Sequence, residues 1–307
     1  INVRKFTLLG DPALALAMPN NQVKTTSVQL DGSQVVADTL KALNKYIFTG
    51  EVLGPDGKLL SNFNGSIYPI LYDKENSLKT RANDAESNPV SFSVFNNVLF
   101  KGKSKVESGK FSFTFNLPKD INYQFGSGKM IYYAENGTID ASGVDQNIVI
   151  GGVGSATSQD ITGPDIKAYM DTISFKNGDE VGVNAVLHVQ LSDLSGMNLS
   201  QSSIGHQMVA VLDGDYSKSI VLNDFYTPDA NTKGTLMYPF SNLLEGRHKL
   251  AVKAWDIFNN SSTVELDFYV RKSKADPIKS FIAFPNPFYD KTNLNLGLNI
   301  ESTGYKL

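Results

Sequence analysis

The sequence predicts an all-β fold: two consecutive β-sandwich domains of the immunoglobulin-like type, with a short helical N-terminal remnant and an incomplete C-terminal β module. From about residue 45 onward, apolar and polar residues alternate with the period of two that is typical of strands. Turn motifs such as Pro-Asp-Gly at 55–57 separate the alternating runs. A stretch rich in Gly, Ser and Thr at 152–164 interrupts the alternation and places a domain boundary there.

The N-terminal stretch has a helical signature. Asp11 can cap a short helix that begins at Pro12, and Leu14 and Met18 then share one face at a spacing of four residues. A helix this short does not fold alone, because its first turn costs more conformational entropy than its few hydrogen bonds return. We therefore expect this helix to pack on a larger domain, most of which lies upstream.

Residues 33–46 leave two alternatives open. Val36, Leu40 and Leu43 have helical spacing, whereas Thr39 and the neighbouring valines disfavour a long helix. The segment is expected to be a short helix or an irregular connector.

The two sandwiches are predicted over residues 45–152 and 160–271. In the first, Phe111, Phe113 and Phe115 fall on one face of a strand, with hydroxyl side chains between them on the other face. In the second, apolar side chains at odd positions from 185 to 191 alternate with polar ones, and a similar run ends the domain.

The segment FIAFPNPFYDKT begins at Phe281 and holds two prolines, Pro285 and Pro287, between aromatic residues. Proline fixes φ and donates no amide hydrogen bond, so this segment is extended or turned ahead of a strand. Residues 276–307 are too few for the roughly seven strands of a sandwich, so we predict the start of a module that is not completed.

Composition excludes several classes of function. Charges of both signs are interspersed and the net charge is −3, so no nucleic-acid partner is expected, and the short basic run at 270–280 is interpreted as a linker. The chain contains no cysteine, which excludes disulfides, thiolate metal sites and cysteine nucleophiles. No stretch approaches the ~18 consecutive apolar residues that would indicate a transmembrane helix.

No catalytic constellation is found among the polar residues. His188 lies on the polar face of a strand, His206 follows a glycine in a predicted loop, and His248 begins a strand. No pair of histidines has metal-ligand spacing, and no serine occupies a nucleophile elbow. We therefore predict no catalytic residue and no cofactor.

Carboxylates are the remaining candidates for a metal site, because Ca²⁺ prefers oxygen ligands. Four of them could meet at one end of the second sandwich: Asp160, Asp165, Asp193 and Asp256. Two more, Asp213 and Asp215, flank a glycine in an ordinary turn tripeptide. Because no EF-hand loop is present, we predict no metal site.

Three further features are interpreted structurally. The glycine-rich stretch at 151–155 has no following helix and is predicted to be a linker, not a phosphate loop. Trp255 and the other aromatic residues are predicted to be core, not a sugar-binding platform. The Asp-Thr-aliphatic triplets at 38–40 and 171–173 match glycan-attachment sites of some Gram-negative bacteria, and two such short matches are expected by chance.

Several stretches resemble the type IX secretion system sortase, a member of the gingipain-type cysteine peptidase family. RKFTLLGDPALALAMP is similar to the end of that family's catalytic domain, which implies that residues 1–44 are the end of a peptidase-like domain and a connector. Three stretches resemble the region that follows that domain in the family: DTLKALNKYIFTGEV, FNGSIYPILYDK and LPKDINYQFGSGKMIYYAENG. The second predicted sandwich continues the resemblance through IGHQMVAVLDG, SIVLNDFY and HKLAVKAWDIFNNSS. The final segment around PNPF resembles the start of the C-terminal module of proteins that this secretion system exports.

The resemblance implies a function for the parent protein. Sortases of this family remove the C-terminal sorting signal from exported cargo and join the cargo to lipopolysaccharide with a Cys–His dyad. The implied partners are an outer-membrane β-barrel shuttle protein and the upstream catalytic domain, and the implied location is the outer membrane surface of a Gram-negative bacterium. Because this chain has no cysteine and no histidine in a matching motif, we expect a non-catalytic scaffold and docking region.

Two other classes of function remain as alternatives. A carbohydrate-binding or adhesive module would use exposed aromatic residues or a Ca²⁺ site on a sandwich. An independent hydrolase would need a complete catalytic site, which the sequence does not provide.

Overall fold

The computed structural model describes residues 17–33, 36–154, 160–201, 205–272, 278–284, 286 and 291–298. The described residues form two compact units. The first contains those between 17 and 154 except Pro118–Ile121, and the second contains Pro118–Ile121 and the described residues from 160 onward. The predicted N-terminal helix lies almost wholly outside the described residues.

The first unit is entirely β in the part of the chain that the structure describes. Its strands are β1 (Asn21–Leu30), β2 (Thr39–Ala42), β3 (Lys45–Leu53), β4 (Gly65–Tyr72), β5 (Asn76–Lys79), β6 (Ser91–Val94), β7 (Val98–Lys101), β8 (Ser104–Glu107), β9 (Lys110–Asn116), β10 (Gly126–Ser127), β11 (Lys129–Glu135), β12 (Asp140–Asp145) and β13 (Val149–Val153).

Seven of these strands close into a ring. They pair in the order β1, β3, β9, β8, β4, β11 and β12, and β12 returns to β1. Closure is possible because β4 pairs with β11 along one side and with β8 and β7 along the other. The prediction of a sandwich over 45–152 is therefore corrected to a closed barrel. Barrels and sandwiches share the same side-chain period, so alternation alone could not separate them.

The barrel begins earlier in the chain than predicted. β1 lies within 1–44, the stretch assigned to a peptidase remnant and connector, and pairs with β3 over nearly its whole length. The ambiguous segment 33–46 is neither a helix nor an irregular connector throughout, because it contains β2, which pairs in parallel with β13. Pairing with a distant strand thus overrides the helical spacing of its apolar residues.

Aromatic side chains fill the barrel. The alternation predicted for β9 is confirmed: Phe111, Phe113 and Phe115 are buried. The ring of Phe48 lies 5.4 Å from that of Phe113, and the ring of Phe100 lies 4.4 Å from that of Phe115. These rings bury a large apolar area, which stabilises the closed form of the sheet.

The second unit contains two sheets with buried facing sides. Its strands are β14 (Asp165–Met170), β15 (Glu180–Val181), β16 (Val186–Ser192), β17 (Val209–Leu212), β18 (Ile220–Val221), β19 (Tyr226–Ala230), β20 (Lys233–Pro239), β21 (Gly246–Trp255) and β22 (Ser261–Val270). Short 3₁₀ turns span Tyr216–Lys218 and Asn223–Phe225.

The sheets of the second unit have the strand orders β14-β16-β20-β19 and β15-β22-β21-β17-β18. The predicted alternation in β16 is confirmed, since Leu187, Val189 and Leu191 are buried and the residues between them are not. This arrangement is a β-sandwich, the fold class predicted for this part of the chain.

A two-stranded hairpin follows the sandwich. It consists of β23 (Ile278–Phe284) and β24 (Asn293–Leu298), which pair only with each other among the described residues. The prolines predicted to precede a strand, Pro285 and Pro287, lie outside the described residues. Across the described ranges, no helix has the length and apolar character needed to span a bilayer.

Candidate functional site

The β23–β24 hairpin has two chemically different faces. Register places Phe281 opposite Leu296 and Ala283 opposite Leu294, so one face is apolar throughout. On the other face, Ile282 and Phe284 lie opposite asparagines. We call the first of these the apolar hairpin face.

Large side chains of this hairpin are exposed. Phe281 is 64% exposed and Leu294 is 62% exposed, and Phe284 on the opposite face is 70% exposed. A two-stranded hairpin is marginally stable in water unless a further layer covers it. Contiguous exposed apolar surface of this kind marks an interaction site in soluble proteins.

An acidic cluster lies in the loops of the second unit. Asp160, Asp193 and Asp256 each place one carboxylate oxygen within 4.8 Å of the others. Three of the four carboxylates that the sequence placed at one end of the sandwich therefore meet. The fourth, Asp165, lies instead on the outward face of β14.

The three carboxylates differ in their protonation behaviour. Burial raises the pKa of Asp193, and the neighbouring charge of Asp160 adds to the effect. Burial also raises the pKa of Asp256, again with a contribution from the two other carboxylates. Burial opposes ionisation of Asp160 as well, but hydrogen bonds from Thr162 and Ser195 outweigh it and lower its pKa.

Backbone turns hold these carboxylates in place. Asp256 accepts hydrogen bonds from the backbone N–H groups of Phe258 and Asn260, at 2.9 and 2.7 Å. Asp160 accepts from the backbone N–H of Thr162 at 3.0 Å. These carboxylate oxygens are ligands of the type that Ca²⁺ prefers. A proton shared between two of the carboxylates would relieve the charge repulsion between them, as a bound cation would.

A polar groove of about 210 Å³ lies on the outward face of the first sheet of the sandwich. Lys167, Gln190, Lys233 and Thr235 line it, together with Asp165. Sequence reasoning did not single these residues out as a group. The signal was present as polar residues at the outward positions of neighbouring strands, but the pairing of those strands could not be read from the chain.

The three histidines have structural partners or surface positions. His248 is buried and lies between Asp213 and a backbone carbonyl group. Nδ1 of His206 lies 2.8 Å from a carboxylate oxygen of Asp120, and its ring lies 4.5 Å from that of Trp255 at a tilt of 54°. His188 is on the outward face of β16, as predicted.

The remaining sequence features occupy ordinary positions. The prediction that Trp255 is a core residue is corrected: it is only partly buried and lies on the same face of β21 as Lys253, whose amine is 4.2 Å from its ring centroid. Thr172 of the second Asp-Thr-aliphatic triplet is exposed, whereas Leu40 of the first triplet is buried. Residues 151–153, from the glycine-rich stretch, belong to β13 and are not a linker.

No protein-family model and no curated protein matches the chain. Among solved structures, it is similar to dimeric latent PorU from Porphyromonas gingivalis, with 28% identity, coverage of 94% of this chain and 27% of that chain, and a TM-score of 0.48. It thus spans about a quarter of that protein's length.

Two further solved structures are similar at lower identity. The fibronectin(III)-like modules of CbhA from Clostridium thermocellum share 10% identity, with coverage of 81% of this chain and 96% of that chain and a TM-score of 0.23. The sporulation control protein Spo0M from Bacillus subtilis shares 13% identity, with coverage of 81% and 91% and a TM-score of 0.25.

Proposed function

We propose that this chain is a non-catalytic scaffold and docking region of a cell-surface sortase of the type IX secretion system. In this proposal the barrel and the sandwich carry an upstream catalytic domain, and the hairpin engages an outer-membrane β-barrel shuttle protein. The parent enzyme would release sorting signals from cargo and attach the cargo to lipopolysaccharide. The motif resemblances in the sequence support the family, and the absence of cysteine supports a role without chemistry of its own.

The apolar hairpin face carries the docking part of the proposal. Phe281, Leu294 and Leu296 are each more than half exposed and lie side by side on one face. Covering them with a partner surface would remove apolar area from water, at roughly 25 cal/mol per Å². A partner would thereby stabilise a hairpin that is marginal by itself.

Binding to the purified shuttle barrel tests the docking role. The chain is compared with a version that ends at Val270 and with the double variant Phe281→Asp, Leu296→Asp. Leu194→Asp is the matched control, because Leu194 is 94% exposed and lies outside the hairpin. Docking through the hairpin requires that the first two lose binding and that the control retains it; equal binding by all would refute this assignment.

The polar groove favours a second candidate function, a carbohydrate-binding module. Its amide, hydroxyl, amine and carboxylate groups can donate and accept hydrogen bonds to sugar hydroxyls. A glycan array with the wild-type chain and with Gln190→Ala tests this reading. The second candidate is favoured over the first if Gln190→Ala abolishes glycan binding and the wild-type chain does not bind the shuttle protein.

A further inference from the structure

The segment 122–128, between Ile121 and β11, presents two aromatic side chains to solvent. Phe125 is 67% exposed and Tyr123 is 45% exposed, although the sequence predicted that the aromatic residues are core. A single exposed ring is ordinary on a protein surface, so the support beneath it is what distinguishes this one. We call Tyr123 and Phe125, together with Gly151 and Gly152 beneath them, the Phe125 platform.

The two glycines of β13 form the seat of the Phe125 ring. A Cβ atom at Gly151 would lie 2.7 Å from Cα and 2.9 Å from Cδ1 of Phe125, and one at Gly152 would lie 3.1 Å from its Cζ. Gly152 also has a φ of +71°, a conformation that other residues rarely adopt. Glycine at both positions thus lets the segment approach β13 closely, so that the ring rests on backbone and the rest of its surface stays open.

Hydrogen bonds hold the segment in this position. The backbone N–H of Gly152 donates to the carbonyl oxygen of Tyr123 at 2.9 Å, and the amine of Lys74 donates to that of Asn122 at 2.7 Å. The side chain of Asn122 accepts from the backbone N–H of Gln124 at 3.0 Å. The platform is therefore preorganised, and a ligand that binds it has little loop entropy to remove.

The side chains around the platform are polar and uncharged. Residues 122–128 read NYQFGSG, and the exposed ones besides the two rings are Asn122, Gln124 and Ser127. The amine of Lys74, which contacts the segment, is already paired with Asp73 at 2.6 Å. The segment thus offers amides and a hydroxyl, which donate and accept hydrogen bonds, and no formal charge of its own.

The size of the platform favours a small ligand over a protein partner. At these exposures the two aromatic residues present about 200 Å² of surface. A stable protein interface covers roughly 800 Å² on each side. One or two sugar rings match the smaller area, because the C–H groups on one side of a pyranose pack on the negative face of an aromatic ring.

We propose that the Phe125 platform binds a neutral oligosaccharide, with one pyranose ring stacked on Phe125 and its hydroxyl groups bonded to neighbouring side chains such as Gln124. A sugar needs an apolar aromatic face and uncharged hydrogen-bonding groups together, which is what this segment supplies. The site lies in the first unit, apart from the polar groove of the second, and it rests on neither function proposed above.

Replacing the ring provides the test. A glycan array with the wild-type chain selects the neutral oligosaccharide, and isothermal titration then measures its affinity for each variant. Phe125→Leu keeps an apolar side chain but removes the aromatic face, so it should weaken binding about tenfold or more. Phe125→Tyr keeps the face and should retain most of the affinity. Tyr216→Leu is the matched control, because Tyr216 is 79% exposed and lies in the second unit.

Thermal melts establish that every variant is folded. The proposal is overturned if the array shows no binding of neutral glycans, or if Phe125→Leu binds as tightly as the wild-type chain. Loss of this binding in Gln190→Ala would also overturn it, because the signal would then come from the groove of the second unit. Binding to zwitterionic phospholipid vesicles in place of glycans, abolished by Phe125→Leu, would overturn it in favour of a lipid surface.

Discussion

The Nδ1 nitrogen of His248 lies 2.7 Å from a carboxylate oxygen of Asp213, and its Nε2 nitrogen lies 2.7 Å from the carbonyl oxygen of Leu244. Both neighbours are hydrogen-bond acceptors, and the imidazole ring is buried next to Phe268. The side chain of His248, near the start of β21, thus contacts Asp213 in the turn that precedes the 3₁₀ turn Tyr216–Lys218. This link fixes the position of the loops at one end of the sandwich.

Replacing this histidine should destabilise the second unit. His248→Phe keeps a ring beside Phe268 but removes both ring nitrogens and with them the contacts to Asp213 and to the Leu244 carbonyl group, so we expect a loss of about 2 kcal/mol in the free energy of unfolding. Urea denaturation measures it. His188→Phe is the matched control, since that ring lies on the outward face of β16; an equal loss in both variants would show that the two hydrogen bonds contribute nothing specific.

The raised pKa of Asp193 should make the second unit less stable as the pH rises. An acid whose pKa is raised in the folded state binds more protons folded than unfolded, so ionising it lowers the free energy of unfolding. Burial raises the pKa of Asp193 in this way. Asp193→Asn removes the charge and keeps the oxygen acceptor, so the variant should gain stability relative to wild type as the pH rises above the ordinary pKa of aspartate, about 4. Urea midpoints in chelator-treated buffers measure the difference, which must grow with pH for this account to hold.

Close backbone packing in the barrel should make one glycine irreplaceable. A Cβ atom at Gly143 would lie 2.1 Å from the carbonyl oxygen of Val23, and a backbone atom in a paired strand cannot move aside. We expect Gly143→Ala to cost about 3 kcal/mol. Gly182→Ala is the control, because a Cβ there meets nothing within 4 Å. Similar melting temperatures for both variants would contradict the strand spacing described here.

A buried ion pair should stabilise the first unit only while it is complete. The amine of Lys74 lies 2.6 Å from Asp73 and also donates to the carbonyl oxygen of Asn122 at 2.7 Å. Lys74→Met keeps the aliphatic stem but leaves Asp73 buried without its cation, and we expect a loss of about 3 kcal/mol. Lys58→Met, at a residue 84% exposed, should change stability little. Chemical denaturation compares the two.

Local pattern predicted the strands well and their partners poorly. The alternation around Phe113 and Val189 identified buried faces, because burial on one side of a strand imposes a period of two. The helical spacing around Leu40 was misleading, since parallel pairing of β2 with β13 decides that segment. Barrel closure depends on the pairing of β4 with β11, and no short stretch of sequence encodes a pairing between strands so far apart in the chain.

The candidate sites, like the strands, could be predicted from the sequence only in part. The carboxylates Asp160, Asp193 and Asp256 were grouped from their loop positions in an assumed sandwich, and the sandwich fold brings them together. Asp165 was predicted to join them, but it is the exposed first residue of β14 and lies outside the cluster. The Phe125 platform could not be predicted, since it depends on how closely the segment 122–128 packs against the glycines of β13.

The parallel pair β1 and β12 has a consequence for how the first unit folds. Asn21 pairs with Ala141, so the ring closes only when residues 120 positions apart in the chain meet. Contacts of such long sequence range must repay a large loop entropy before they stabilise anything, which slows folding. A chain made from its N-terminus must therefore wait until β12 has emerged before β1 finds its second neighbour, and until then the barrel stands open along one seam.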